Sequence, residues 1–247
     1  MTGEASRTTA SQSVRPAHAV SELVLPVVSW CAWGVEAEPS APDVAFVEPA
    51  LRRRLSPLAR SALAVAESAR PKDRPVRFVF ASRHGELRRN AEMLQELADG
   101  QAPSPMNFSL SVLNAVAGLF GIAHGDTSAT SAVSAGRATL PLAMLEGAVQ
   151  AWTHPHETVL VVCADEPPPD LYADLVDEPK RPYALAVVLN ANQAMIPVST
   201  AWSRNAGPTS SATAAEAFVD CLRHHRASTW ATRDQSWAWS PQPPTSH

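Results

Sequence analysis

The sequence is short of the features that mark several protein classes. Three cysteines stand far apart in 247 residues, Cys31, Cys163 and Cys221, with no C-x-x-C pair. That spacing excludes a disulfide framework and a cysteine-rich zinc site, and it fits a reducing, cytoplasmic setting. Glycine is scarce, ten in all, and none builds a phosphate-cradling loop. No apolar run approaches the roughly 20 residues a membrane-spanning helix needs, so membrane insertion is not expected. Basic residues are in no excess: 20 Lys and Arg stand against 24 Asp and Glu, a formal charge of −4. Nucleic-acid binders normally carry a basic face or stripe, so nucleic acid is not an expected partner. Lysine is nearly absent, only Lys72 and Lys180, which reads as base composition more than mechanism.

What is present suits one large domain, or at most two small ones, with 45% apolar residues to fill a core. Residues 1–20 are rich in Ser, Thr and Ala and lack an apolar h-region. They read as a disordered leader rather than a signal peptide. A folded domain is expected over residues 21–228, followed by a tail over 229–247. That tail carries Trp230, Trp237 and Trp239 beside Pro241, Pro243 and Pro244. Tryptophans are costly to leave in water, so part of the tail is expected to dock.

Between the ends, strand and helix periods alternate. Residues 22–30 (ELVLPVVSW), 76–81 (VRFVFA), 127–135 (TSATSAVSA) and 158–163 (TVLVVC) read as strands, as do 183–189 and 194–202. Ser56 before Pro57 is an N-cap with proline at the first helical position, and Leu58, Ala62, Val65 and Ala69 share the face that follows. Leu87, Ala91, Leu94 and Ala98 form a second helical stripe, stopped by Asp99-Gly100. Residues 109–122 and 138–152 read as helices apolar nearly all round, the second with only Glu146 and Gln150 to face water. A last helix carries Ala214, Phe218, Cys221 and Leu222 on one side. The order predicts an α/β protein, a mixed sheet layered between helices. Helices without a polar face suit the middle of a five-layer stack, or a hydrophobic three-layer sandwich.

Several runs fall into one register. Residues 104–118 (SPMNFSLSVLNAVAG) place Ser104-Pro105 ahead of an N-x-x-x-G pair, Asn114 and Gly118. A small-residue strand ending near Gly136 and the strand 158–165 follow without insertion or deletion. Over residues 104–166 this resembles the N-terminal half of the β-ketoacyl-acyl-carrier-protein synthases, members of the thiolase-like fold. Residues 80–87 (FASRHGEL), 108–112 (FSLSV) with Asn114-Ala115, Leu145-Glu146 and residues 51–60 (LRRRLSPLAR) extend the likeness over about residues 24–190. The chain is similar to the truncated ketosynthase-like chain length factors of aryl polyene and related polyketide-type or fatty-acid-like pathways. The resemblance implies no catalysis by this chain and no cofactor. It implies a full-length, cysteine-bearing ketosynthase as heterodimer partner, with acyl chains delivered by an acyl carrier protein.

The same register sets Arg137 where a ketosynthase carries its nucleophilic cysteine. The reaction needs a thiolate at a helix N-terminus, and arginine is a permanent cation that cannot attack a thioester. A cation there also opposes the helix dipole. Arg137 is therefore expected to have a carboxylate partner, to plug the old pocket, or to reach solvent. None of His84, His124, His154, His156, His224 and His225 stands in the H-G-T or N-x-x-H contexts of the family's catalytic histidines. His154 and His156 read as a surface loop, the alternative being a metal site, and no metal is assigned. An independent acyl hydrolase using Ser131 or Ser134 is the rival reading, though no G-x-S-x-G elbow is present. A free-standing acyl-binding module is another.

In thiolase-like dimers the strand before the nucleophile pairs across the two-fold axis. Its equivalent here would be an unprotected edge, without lysine or proline. The resemblance therefore makes Thr130, Ala132 and Ser134 on that strand, with Asn114 and Gly118 on the preceding helix, candidates for the partner interface. Met106, Asn107 and Phe108, in the loop ahead of that helix, become candidates for lining the partner's acyl tunnel. Core packing is the alternative for Met106 and Phe108.

Overall fold

The computed structural model describes residues 21–35, 40–204 and 208–243. The leader expected over 1–20 and Pro244 lie outside the described residues. Strand β1 (Ser21–Trp33) is followed by a single helical turn α1 (Pro49–Arg52) and by α2 (Pro57–Ala69). Helix α2 starts where Ser56 Oγ accepts the Ala59 amide at 3.0 Å, with Pro57 preset at the first position. Then come β2 (Arg77–Ala81), α3 (Leu87–Ala98), α4 (Pro105–Ser109), α5 (Ala115–His124) and β3 (Thr130–Val133). Helix α6 (Thr139–Thr153), β4 (Val159–Asp165), β5 (Tyr183–Leu189) and β6 (Ile196–Arg204) lead to α7 (Ala214–His224) and a final pair, β7 (Ser228–Ala231) and β8 (Gln235–Pro241).

One eight-stranded sheet results, in the order β3-β2-β4-β5-β1-β6-β8-β7. Strand β2 pairs in parallel with β3 and β4, whereas β5, β1, β6, β8 and β7 continue the sheet antiparallel. Every residue of β4 is buried, as its unbroken apolar run requires when both faces are covered. On one face lies a core built with α2 and α5, including Leu58, Leu63, Phe78 and Phe120. On the other lies a core built with α6 and α7, including Leu140, Met144, Phe218 and Trp239. Of the two layerings open from the sequence, the described residues form three layers around a single sheet. Helix α6 runs so close to the sheet that a Cβ on Gly147 would overlap the side chain of Val161.

Three expectations are corrected. Residues 109–122 are not one helix. Pro105 opens the short α4, and the chain turns through residues 110–114, the Ala115 amide donating to the Val112 carbonyl at 3.1 Å, before α5 begins. Nor is that helix buried on several sides: Gly118 and Ile122 face outward, Ile122 at 73% exposure. In α6, Glu146 and Gln150 do not serve as the water-facing pair, because the Gln150 amide donates to Glu146 Oε1 and to Ser131 Oγ on β3. Val149 and Trp152 are the large apolar side chains that this helix leaves exposed.

The division expected after residue 228 falls inside the sheet. Residues 228–241 form the β7–β8 hairpin, which adds to β6 and buries Trp230, Trp237 and Trp239. Trp239 meets Phe218 of α7 edge to face at 5.3 Å, so the hairpin and α7 are one packing unit. Trp239→Ala leaves an unfilled volume in this layer and is expected to lower unfolding free energy by about 3–5 kcal/mol in denaturant titrations. A loss under ~1 kcal/mol would mean that the hairpin is not part of the cooperative core.

Candidate functional site

The parallel strands β2, β3 and β4 end together, and the loops beyond them assemble the polar centre of the molecule. After β3 the backbone turns at Gly136, whose φ of +59° favours glycine, and passes through one 3-10 turn, Gly136–Ala138, into α6. Thr139 fixes this turn: its hydroxyl accepts the Ala135 amide at 2.9 Å and donates to the Gly136 carbonyl at 2.7 Å. Arg137 sits in the turn with a partly buried side chain. Its Nε and Nη2 donate to the two carboxylate oxygens of Glu178 at 3.0 and 3.3 Å, and Nη2 also donates to the Ser210 carbonyl at 3.1 Å. Asp177 lies 3.7 Å away, and the guanidinium stands 6.0 Å from the Trp230 ring centroid. Of the three settings open for Arg137, the carboxylate partner is the one observed. Fork-to-fork pairing of this kind offsets a cation at a helix start.

Beneath Arg137 is a buried carboxylate. Asp165, the last residue of β4, accepts the Ser82 hydroxyl at 2.7 Å, the Arg83 and His84 amides at 3.1 Å each, and the Tyr183 hydroxyl at 3.2 Å. Burial pushes its pKa up, against the pull of those hydrogen bonds. The Ser82 hydroxyl also accepts the Gly85 amide at 2.8 Å, so the run 82–86 (SRHGE) is a loop wrapped on Asp165. That wrapping aims Arg83 at the acidic pair, 2.9 Å from Asp177 and 3.3 Å from Glu178. Partial burial raises the Asp177 pKa, but the hydrogen bond and charge of Arg83, with Arg137 behind it, hold it below the usual carboxylate range. A cavity of about 440 Å3 opens beside Arg137, lined also by Glu178, Lys180, Arg181 and Tyr183.

No nucleophile is assembled among the described residues. Cys163 is fully buried, its sulfur 3.8 Å from the Tyr183 hydroxyl, and burial with the nearby Asp165 charge pushes its thiol far up. Burial and Asp220 push Cys221 up to about 11, and burial raises Cys31. Ser131 Oγ accepts from Gln150 at 3.2 Å, and Ser134 Oγ donates to the Arg83 carbonyl at 3.2 Å. Neither serine hydrogen-bonds a histidine among the described residues, so the hydrolase constellation does not form. His84 faces the Glu178 carbonyl oxygen at 3.2 Å, while His124 is stacked on Phe46 and held 3.1 Å from Glu67. No group of three metal-ligating side chains occurs among the described residues.

The remaining candidates lie elsewhere. Thr130 and Ala132 are exposed on the outermost strand and Ser134 just beyond its end, and Asn114 and Gly118 are exposed at the start of α5, which packs beside β3. Met106 and Phe108 on α4 are exposed at 41% and 66%, and Asn107 accepts from Arg89 at 3.3 Å. None of Met106, Asn107 and Phe108 lines the cavity at Arg137. Glu178, Asp177 and Asp165 were not singled out by sequence. The need of Arg137 for a carboxylate was legible, but nothing along the chain selects one acidic residue from 24.

Residues 28–240 match the family model described as Beta-ketoacyl synthase, N-terminal domain. Among solved structures, one chain of the ketosynthase (ApeO) in complex with its chain length factor (ApeC) from Xenorhabdus doucetiae superposes with a TM-score of 0.76 at 26% identity, over 88% of this chain and 99% of that one. A chain of the ishigamide ketosynthase/chain length factor gives 0.58 at 14% identity, over 81% of this chain and 72% of that one, a likeness of fold alone. No curated protein matches the sequence. No helix of the described residues is long and apolar enough to cross a membrane.

Glu166, next after Asp165, is 8% exposed, with Oε1 unpartnered in hydrogen bonding and Arg88 at 3.5 Å. Burial raises its pKa; Arg88 lowers it, and Glu86 and Glu92 raise it further. A carboxyl with a raised folded pKa favours the folded state below the ordinary carboxylate range, and that contribution is lost as pH rises through the folded value. Glu166→Gln is therefore expected to be more stable than the parent at neutral pH, the difference vanishing as pH falls to the ordinary carboxylate range. Denaturant titrations across that range check it, and a pH-independent difference would contradict it.

Proposed function

Because this chain belongs to the family of β-ketoacyl synthase N-terminal domains, we propose that it acts as a chain-length-factor subunit. It performs no condensation itself, pairs with a catalytic, cysteine-bearing ketosynthase, and helps shape that partner's acyl tunnel. The observation that carries this reading is Arg137 locked on Glu178 at the strand-to-helix turn. Decarboxylative condensation needs a thiolate at such a turn, and the three thiols of this chain lie elsewhere with raised pKa values. The likeness to one chain of the X. doucetiae complex supports the same assignment, since 99% of that chain is matched by 88% of this one.

An edge supports the partnership. Strand β3 is outermost in the sheet, with Thr130 and Ala132 exposed on it, Ser134 exposed just beyond it and no charged residue in its span. A partner strand laid on it would satisfy its free backbone groups and continue the sheet, with Asn114, Gly118 and Ile122 alongside. Met106, Asn107 and Phe108 then reach the partner's tunnel rather than a cavity of this chain, which accounts for two large apolar side chains left in water. The partner receives acyl chains from an acyl carrier protein, in the cytoplasm, in an aryl polyene, polyketide or fatty-acid-like pathway.

Co-expression with the cognate ketosynthase tests the reading. A one-to-one complex is expected by size-exclusion chromatography, with malonyl-dependent elongation that is lost when this chain is omitted. Phe108→Ala in that complex is expected to change product length. Elongation by the ketosynthase alone at an unchanged rate, with no complex formed, would overturn the assignment.

A further inference from the structure

The connection from β4 to β5, residues 166–182, stays outside both cores yet is firmly rooted. It leaves the sheet through Pro167, Pro168 and Pro169, whose rings fix φ and make an extended stem. A 3-10 turn follows, Asp170–Tyr172, closed by the Tyr172 amide donating to the Pro169 carbonyl at 2.8 Å and the Ala173 amide to the Asp170 carbonyl at 3.1 Å. The Leu175 amide then donates to the Tyr172 carbonyl at 3.0 Å. The chain returns to the molecule at Asp177-Glu178, where Arg83 and Arg137 each reach both carboxylates.

Between stem and root the arm presents Leu171 at 74% and Leu175 at 80% exposure, the two highest values among the exposed large apolar side chains of the described residues, with Ile122 next at 73%. Asp170 and Asp174 alternate with them, both exposed and neither in an ion pair among the described residues. Two bare leucines with two uncompensated carboxylates, on a loop preorganised at both ends, have the makeup of a docking element. Its place narrows the occupant: Ser134, the exposed residue that follows β3, donates to the Arg83 carbonyl at 3.2 Å, so the root of the arm adjoins the edge offered to the ketosynthase.

We propose that residues 170–176 dock Leu171 and Leu175 into an apolar recess bordered by lysine or arginine on the catalytic ketosynthase subunit, and that Arg137 holds the root of this arm. This rests on the heterodimer reading above. In that arrangement the residue at the nucleophile's position is a clamp for a partner-binding loop. The acidic flank of the arm sets the charge of its receptor, and the proline stem limits the ordering that docking demands.

The test uses the full chain and the cognate ketosynthase, with binding measured by titration at low and high salt and by hydrogen exchange. Leu171→Ser with Leu175→Ser is expected to weaken binding about tenfold without altering the thermal melt of the free chain, since both side chains are exposed. Asp170→Asn with Asp174→Asn is expected to flatten the salt dependence. Amides of 170–176 are expected to gain protection in the complex, and Arg137→Gln to speed their exchange in the free chain. Wild-type binding matched by the leucine variant, with no protection of 170–176, would overturn the arm and leave the heterodimer standing. So would a leucine variant that loses only self-association or vesicle binding. Failure of the wild-type chain to bind the ketosynthase would overturn the heterodimer reading and the arm with it.

Discussion

The carboxylate of Asp165 ends the fully buried β4, and four donors from Ser82, Arg83, His84 and Tyr183 converge on it. Removing that charge from water is costly, and the hydrogen bonds that compensate it, each worth about 1.5–3 kcal/mol when the acceptor is charged, come from two separate segments. The 82–86 loop closes onto this anion, and in that arrangement Arg83 reaches Asp177 and Glu178. Those two residues in turn receive Arg137. One buried anion thus fixes, through backbone amides, the loop that carries Arg83 into a charge cluster with Asp177, Glu178 and Arg137.

That chain of dependence explains how the turn after β3 tolerates a cation. The start of α6 retains the geometry that would lower the pKa of a thiol: a glycine at positive φ, a single 3-10 turn and a helix behind it. Arginine in that setting would be destabilising alone, and it is bearable because Glu178 answers it with both oxygens. On the subunit reading, chemistry has moved to a neighbouring chain, and the turn has become a structural joint between the sheet, the β4–β5 connection and the hairpin bearing Trp230.

Much of this was legible in the chain. The helix Leu87–Ala98 and the strand Tyr183–Leu189 have the bounds their periodicity gives, but the stripe expected on the helix stays largely outside the core: Leu94 is 58% exposed, and Met93 is the residue of that helix that is buried. The thiolase-like half-fold followed from the register of Ser104-Pro105, Asn114, Gly118 and the β4 strand. What escaped were features decided by distant packing. The break at residues 110–114 is invisible to an apolar average, since Leu110, Val112 and Leu113 fit a helix as well as a turn. Trp230, Trp237 and Trp239 signalled docking but not a hairpin, because their alternation matters only once β6 offers an edge. The acidic pair at 177–178 lies 41 residues from Arg137 at Glu178, a separation no local pattern spans.

The central claim is that no group of this chain takes up an acyl chain, so that any covalent intermediate resides on its partner. Intact-mass spectrometry of the mixed subunits after incubation with acyl-loaded carrier protein reads this directly. An acyl adduct on the ketosynthase alone, with the mass of this chain unchanged, is the predicted result. An acyl adduct on this chain, formed when it is incubated without the ketosynthase, would contradict it.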